Sequence, residues 1–476
     1  MNAWQPDGAP TAAYLEQRRR ITSLVKNRLI EVLQLDLSEE QIGFDSPLFG
    51  AGLGLDSVDA VGLAAAIEQE FGVPVLDSDI QVFRSINTIV DFVMTRQAQA
   101  EEGEAPAEME AVVVPADLGE RAIAPDGHAE ELGDYVAFRT QAGLLDVSAD
   151  AKIQLGGEDA QLLLDLVVAG NVSDMAIGDM LHSLCLADDG SILALVWAAR
   201  TESGFLLFTG SRQRTVMLDL LARHRGELAV EIQDVTGDYG FFAVVGPRAQ
   251  DLVVDLFDED LLRLGYAELS QRDWNGVPVV IARFGEVGEL DFRLLVPRDA
   301  AALLQAEIED VGSMHGLRTC RSAVFPALML EMKSIHQDTA LPVGSAPSEV
   351  DLQWMVQVSK ERFAGREAAL AGLGRAERRS LVLVAEGTDD DTALDRSLTG
   401  REVWLGNRRV GRVQTDAISY TLGRRIALAL VDDDVAWPNL PFVLPAGSGS
   451  GEEAVRATSR SAPLFLTRTV VESLNL

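Results

Sequence analysis

Ser57, in the run Gly54-Leu55-Asp56-Ser57-Val58-Asp59, couples a nucleophilic hydroxyl to a helix-start pattern. A transferase that adds a phosphodiester to a serine needs that hydroxyl at the first turn of a helix. There, unpaired backbone N–H groups and the helix dipole tolerate the incoming negative charge. Asp56 and Ser57 are also good N-cap residues, and an ordinary cap is the simpler account of them. The residues that follow argue for more. Ala60, Leu63, Ala64, Ile67 and Phe71 recur at helical spacing and form a stripe that faces a small core. Val58, Val61 and Ala65 fall on a second, exposed face which, with Asp56, suits docking of a partner.

The elements that must position this serine are a long amphipathic helix from about Leu15 to Leu35, a loop through Phe49-Gly50-Ala51-Gly52, the serine helix, and a last helix near Ile86 to Thr95. In that order, residues 15–97 resemble an acyl or peptidyl carrier protein, an all-α four-helix fold. The resemblance implies that Ser57 carries a 4′-phosphopantetheine arm holding an acyl or aminoacyl thioester. It also implies partners: a phosphopantetheinyl transferase, an acyl- or aminoacyl-loading enzyme and downstream biosynthetic enzymes.

A chain of 476 residues is too long for one carrier and accommodates roughly two to four domains. Its net charge of −34, from 74 acidic and 40 basic residues, argues against nucleic-acid binding, which needs clustered Lys and Arg. Anionic membrane surfaces are disfavoured for the same reason. Cys185 and Cys320 have no metal-ligand spacing and make no disulfide framework, which fits a reducing cytoplasm. His128, His182, His224, His315 and His336 are scattered, and none sits in an HExxH-type pair, so no metal site is expected. The N-terminus lacks the basic-then-apolar layout of a signal peptide, and no stretch approaches about 18 unbroken apolar residues. The expected location is the cytoplasm.

Residues 98–118 are rich in Ala, Glu and Pro without a core period, and read as a linker. Its acidity should keep it extended, and its length lets the carrier swing toward a neighbouring pocket. Strands and helices then mix over residues 119–370, as in Lys152-Ile153-Gln154-Leu155 followed by a helix-like GGEDAQLLLDLVV, which argues for an α+β or α/β body. In residues 371–476, Ser380–Ala385, Val403–Val413 and Ile426–Val431 look like strands of a smaller, mainly β module.

Five segments of this body, in order, resemble the glycine-cleavage T-protein (aminomethyltransferase) superfamily of folate-binding proteins. They are Phe138 to Ser148 (FRTQAGLLDVS), Val244-Val245-Gly246-Pro247-Arg248-Ala249, Gly285 to Pro297 (GEVGELDFRLLVP), Phe363 to Ala368 (FAGREA), and Val410-Gly411-Arg412-Val413 leading to Thr421-Leu422-Gly423-Arg424. The resemblance implies an α+β cloverleaf of three subdomains around a channel for tetrahydrofolate, with a C-terminal β-rich module. Departures from the family pattern limit what carries over. The family's "GGVIDDL" reads Gly190-Ser191-Ile192-Leu193-Ala194-Leu195, which sets Ala194 where the family has an acid, and a methyl group can neither accept a proton nor stabilise a cation. The glutamate of "GFEIYVP" is Arg293, which exchanges an acceptor for a donor.

The resulting channel candidates are Asp150, Trp197, Arg293, Arg321, Glu349, Asp351 and Trp354; the catalytic group stays unassigned. Each has a plainer alternative. Arg293 on an alternating strand faces either channel or solvent, Glu349 and Asp351 are equally ordinary loop acids, and Trp197 and Trp354 suit core packing as well as stacking on a ligand. Three functions remain open. One is a fused carrier and folate-dependent one-carbon transferase of a specialised-metabolite pathway, with glycine cleavage itself not expected. Another is a catalytically degenerate scaffold that docks the loaded carrier, and the third is a folate-independent enzyme acting on the tethered group.

Overall fold

The computed structural model describes residues 12–48, 53, 55, 57–76, 79, 83–102, 112–122, 124–125, 127–335, 344–386, 397–446 and 454–473. The front region folds as α1 (Ala12–Leu33), α2 (Ser57–Phe71) and α3 (Ile86–Glu102). Their helical-period apolar residues meet in one core: Ile21, Val25 and Leu29 of α1, Leu63 and Ile67 of α2, and Ile89, Val90 and Val93 of α3 are all buried. Each such side chain contributes about 1.5–3 kcal/mol. Three α-helices and a 3-10 turn at Glu39–Gln41 are found here among the described residues, so the fourth helix of the expected bundle is not among them.

The body runs α4 (Leu118–Arg121), α5 (Ala129–Thr140), β1 (Ala142–Asp146), β2 (Ala151–Gly156), α6 (Ala160–Val167), β3 (Met180–Leu186), β4 (Ile192–Thr201), β5 (Gly204–Thr209), α7 (Arg214–Arg225), β6 (Glu231–Asp234) and β7 (Tyr239–Val245). It continues through α8 (Ala249–Leu256), β8 (Glu268–Trp274), β9 (Val277–Arg283), β10 (Asp291–Pro297), α9 (Ala301–Gly312), β11 (Leu317–Thr319), α10 (Phe325–Met332) and α11 (Arg366–Gly372). Two sheets result, of order β3-β4-β5-β2-β6 and β11-β1-β7-β10-β9-β8. Pairing is antiparallel except for β1 with β11.

Strand alternation decides what each sheet shows to each side. On β4, Ala194, Val196 and Ala198 pack toward α6 and α7. Trp197 and Ala199 turn the other way and meet Phe241 of β7 and Leu295 of β10 in a shared cluster. The two sheets therefore face each other across aromatic side chains, with their helices outside. Gly246 makes the turn from β7 into α8 at φ 135°, where a Cβ would stand 2.4 Å from the Gln141 carbonyl oxygen; only glycine fits.

The expected β module is a closed barrel of β12 (Arg378–Ala385), β13 (Glu402–Leu405), β14 (Arg408–Ser419), β15 (Arg424–Asp432), β16 (Pro441–Leu444) and β17 (Val455–Arg460), followed by α12 (Arg468–Ser473). A buried polar network fastens barrel to body. Glu331 of α10 accepts from Arg139 at 2.6 Å, Tyr135 at 2.5 Å and Ser419 of β14 at 2.5 Å. No helix among the described residues is long and apolar enough to cross a membrane.

Candidate functional site

Ser57 is the first residue of the 15-residue helix α2. Val58 and Val61 are 77% and 59% exposed, Ala65 is exposed, and Asp56 lies outside the described residues. The backbone just before the serine is tied to the preceding loop, Leu53 N donating to Pro47 O and Leu55 N to Leu48 O, both at 3.0 Å.

That loop is seated on the body. Lys333, which closes α10 in the left-handed conformation at φ 53°, places Nζ 2.8 Å from Asp45 of the carrier and 2.5 Å from Asp351 of the body. Burial pulls the ammonium down, but the two carboxylates outweigh it and hold Lys333 above its ordinary pKa. Burial likewise pushes Asp351 up, and Lys333 wins and keeps it low. Asp351 also accepts from Phe44 N at 3.0 Å, and Asp45 from Asn87 Nδ2 at 2.9 Å and Ala462 N at 3.1 Å. Gln41 Nε2 reaches Val356 O at 3.0 Å, and Arg84 Nε reaches Pro463 O at 3.0 Å. Phe44 meets Trp437 edge-on, with the Arg379 guanidinium over both rings at 4.0 and 4.7 Å. Where the linker composition suggests a swinging carrier, the described residues hold it by its α1, loop and α3 side. Complementary buried charges fix it there and leave the outer face of α2 open.

Between the two sheets lies a cavity of about 490 Å³. Its wall is aromatic: Phe208 and Phe241 stack at 5.2 Å, Trp197 meets Phe284 at 4.9 Å, and His182 of β3 lies flat on Trp197, its partner on β4, at 4.3 Å. Polar groups enter from the edges, among them Asp150, Arg212, Glu286 and Arg293. Arg293 is bound bidentately by Asp291, at 2.7 and 2.8 Å. Burial pushes the Asp291 carboxyl up to about 6 against the opposing guanidinium. His182 Nε2 is 3.4 Å from Glu286 Oε1.

Of the residues singled out in the sequence, Asp150, Trp197 and Arg293 line this cavity. Arg321 does not: it is 56% exposed and pairs with Glu130 at 2.7 Å, while Ser322 faces the cavity in its place. Glu349 is spent on structure, accepting from Ala346 N at 3.0 Å and pairing with Arg378 at 3.3 Å. Asp351 and Trp354 line a separate pocket of about 50 Å³, which Asp45, Ser46 and Pro47 of the carrier help to close. Ala194 points away from the cavity; β4 presents Leu195 and Trp197 there, so this strand brings no carboxylate.

His182, Glu286, Lys333 and Asp45 were not picked out by sequence. His182 and Glu286 line both the cavity and the carrier-side pocket. The loop bearing Glu286 is held from the far end of the chain: Thr467 Oγ1 donates to Gly288 O at 2.6 Å, and Leu290 N donates to Thr469 Oγ1 at 3.1 Å. Glu289 accepts from the backbone of Arg468 and Thr469 at the start of α12, at 3.2 and 3.0 Å.

Two family models match the chain, the GCVT N-terminal domain over residues 107–360 and the phosphopantetheine attachment site over residues 23–93. An aminomethyltransferase of Streptomyces avermitilis is 33% identical over 321 residues, covering 66% of this chain and 84% of that protein. Another, from Saccharopolyspora erythraea, is 30% identical over 311 residues, covering 65% and 83%. Among solved structures, the glycine cleavage system aminomethyltransferase T from Bartonella henselae superposes with a TM-score of 0.63 over 79% of this chain and 98% of that one. At 18% identity that likeness speaks for the fold.

Proposed function

The chain belongs to the GCVT aminomethyltransferase family and bears a phosphopantetheine attachment domain at its front, and from there we propose that an arm on Ser57 presents a thioester-bound acyl or aminoacyl group to the cavity of the same chain for folate-dependent one-carbon transfer. The observation that carries this reading is the seating of the carrier. The loop bonded to the residues before Ser57 walls a pocket that adjoins the aromatic cavity.

The cavity suits tetrahydrofolate. Its volume of about 490 Å³ lies within the range of small-molecule sites, and its aromatic wall is edged by charged and polar groups, among them Asp146, Asp150, Arg212, Glu286 and Arg293. Trp197 and Phe208 would stack against the ring system, with Asp150 and Arg293 at its polar edges. Bound there, tetrahydrofolate supplies or accepts the one-carbon unit. The chain's own contribution is to exclude water, to hold the polar edges in place and to keep the tethered group at high effective concentration. Glycine cleavage is not proposed, because Ala194 stands where the family has an acid and β4 turns only Leu195 and Trp197 to the cavity. Such a fusion fits a biosynthetic, specialised-metabolite role in the cytoplasm, with a phosphopantetheinyl transferase and a loading enzyme as partners.

A second reading, a scaffold that docks the loaded carrier without chemistry, is favoured by Leu195 and by the engagement of Arg293 with Asp291. Titrating tetrahydrofolate or its 5-formyl analogue against intrinsic tryptophan fluorescence separates the two, with Trp197 as reporter. No binding at high micromolar ligand removes the transferase and leaves the scaffold. A mass change on the loaded carrier that requires folate supports transfer.

A further inference from the structure

The carrier-side pocket and the large cavity have His182 and Glu286 in common. One face of this pair looks onto Asp45, Ser46 and Pro47 of the carrier, and the other onto the aromatic wall. We infer that the pocket closed by Pro47, Ser334, Ile335, Trp354 and Met355 is the entry port for the arm borne on Ser57, and that His182 and Glu286 are its gate.

Three observations support this route. First, the serine is near. Leu48, adjacent to Pro47, is bonded to Leu55, and Ser57 follows Leu55 by two residues, a span of at most about 7 Å. Second, the carrier is fixed on this side by Lys333, itself a wall of the pocket, so the arm moves while the domain stays. Third, about 50 Å³ is too small for a pantetheine arm, and something must yield. The side chains that stand between this pocket and the cavity are His182 and Glu286, 3.4 Å apart. The lining matches the cargo: Ile335, Trp354 and Met355 cover the methylenes and gem-dimethyl group of pantetheine, while Ser334 and Ser46 suit its amides.

This inference rests on the proposed delivery to the cavity, and its test separates the two. The full-length chain is loaded at Ser57 with a pantetheine arm ending in a diazirine, irradiated, and the cross-linked peptides are identified. The expected products are intramolecular cross-links to cavity residues such as Phe325 and Met329. Ser334→Trp, which plugs the port outside the cavity, lowers their yield by roughly tenfold or more, and His182→Ala, which removes one leaf of the gate, raises it. Arm loading read by intact mass shows that each variant folds its carrier. Cross-links confined to the outer face around Val58 and Val61, or cavity cross-links undiminished in Ser334→Trp, overturn the port. Calorimetric folate binding on the same protein keeps the readings apart. Binding without cavity cross-links removes the route alone, whereas cavity cross-links without binding uphold the route and remove the folate reading.

Discussion

Lys333 of the body lies 2.8 Å from Asp45 of the carrier, a contact between residues 288 positions apart, both almost wholly buried. Removing the ammonium strands two buried carboxylates, Asp45 and Asp351. Lys333→Met should cost about 3–5 kcal/mol of stability, read as a lower denaturation midpoint. Small-angle scattering should show the carrier leaving the body. A variant as compact and as stable as the parent would show that the clamp holds nothing.

Lys26 lies at the same seam, its Nζ 4.1 Å above the Phe44 ring. Burial lowers its pKa to about 8, over the opposing pull of Asp351 and Glu39. Unfolding returns it to its ordinary 10.5, so between those values the unfolded chain binds more protons and stability rises with pH. Denaturation at pH 8 and pH 10 should show Lys26→Met with a flatter profile than the parent. The difference should be on the order of 2 kcal/mol across the window.

Asp291 gives the opposite slope. Its folded pKa near 6 stands above the ordinary 3.8, so its contribution to stability falls as pH rises through that interval. Arg293→Leu deprives it of its bidentate partner and should push the carboxyl higher still. The variant should lose about 3–5 kcal/mol at pH 8 and visibly less at pH 5, where Asp291 is protonated. Equal losses at both values would falsify the pairing as the source of the cost.

Ser57→Ala should show no added mass after treatment with coenzyme A and a broad-range phosphopantetheinyl transferase. Val61→Asp, on the exposed face of α2, should leave stability within about 0.5 kcal/mol yet slow arm loading. Intact-mass time courses read both.

What could be read from sequence was local. The helical stripe of Ala60, Leu63 and Ile67, and the strands at Ser380–Ala385 and Ile426–Val431, carry their period within a few residues, and α2, β12 and β15 follow it. Trp197 and Arg293 could be placed on strands that border the cavity for the same reason. What escaped depends on contacts between distant segments. Nothing near His182 marks it; its position follows from the β3–β4 register that stacks it on Trp197. Arg321 lies outside the cavity because Glu130 and Asp134, one turn apart on α5, engage it. On β4, one residue of register separates Ala194 in the helix-packed core from Leu195 in the cavity, and sequence alignment alone does not fix that parity.

Thr467 and Thr469 grip the backbone at Gly288 and Leu290, beside the Glu286 leaf. These threonines emerge from the ribosome after every other residue that shapes the cavity. During synthesis the carrier and both sheets are in hand while that wall is still unfastened. Under the proposed function, this chain order lets the arm be added to Ser57 before that wall closes, arming the protein first and closing it second.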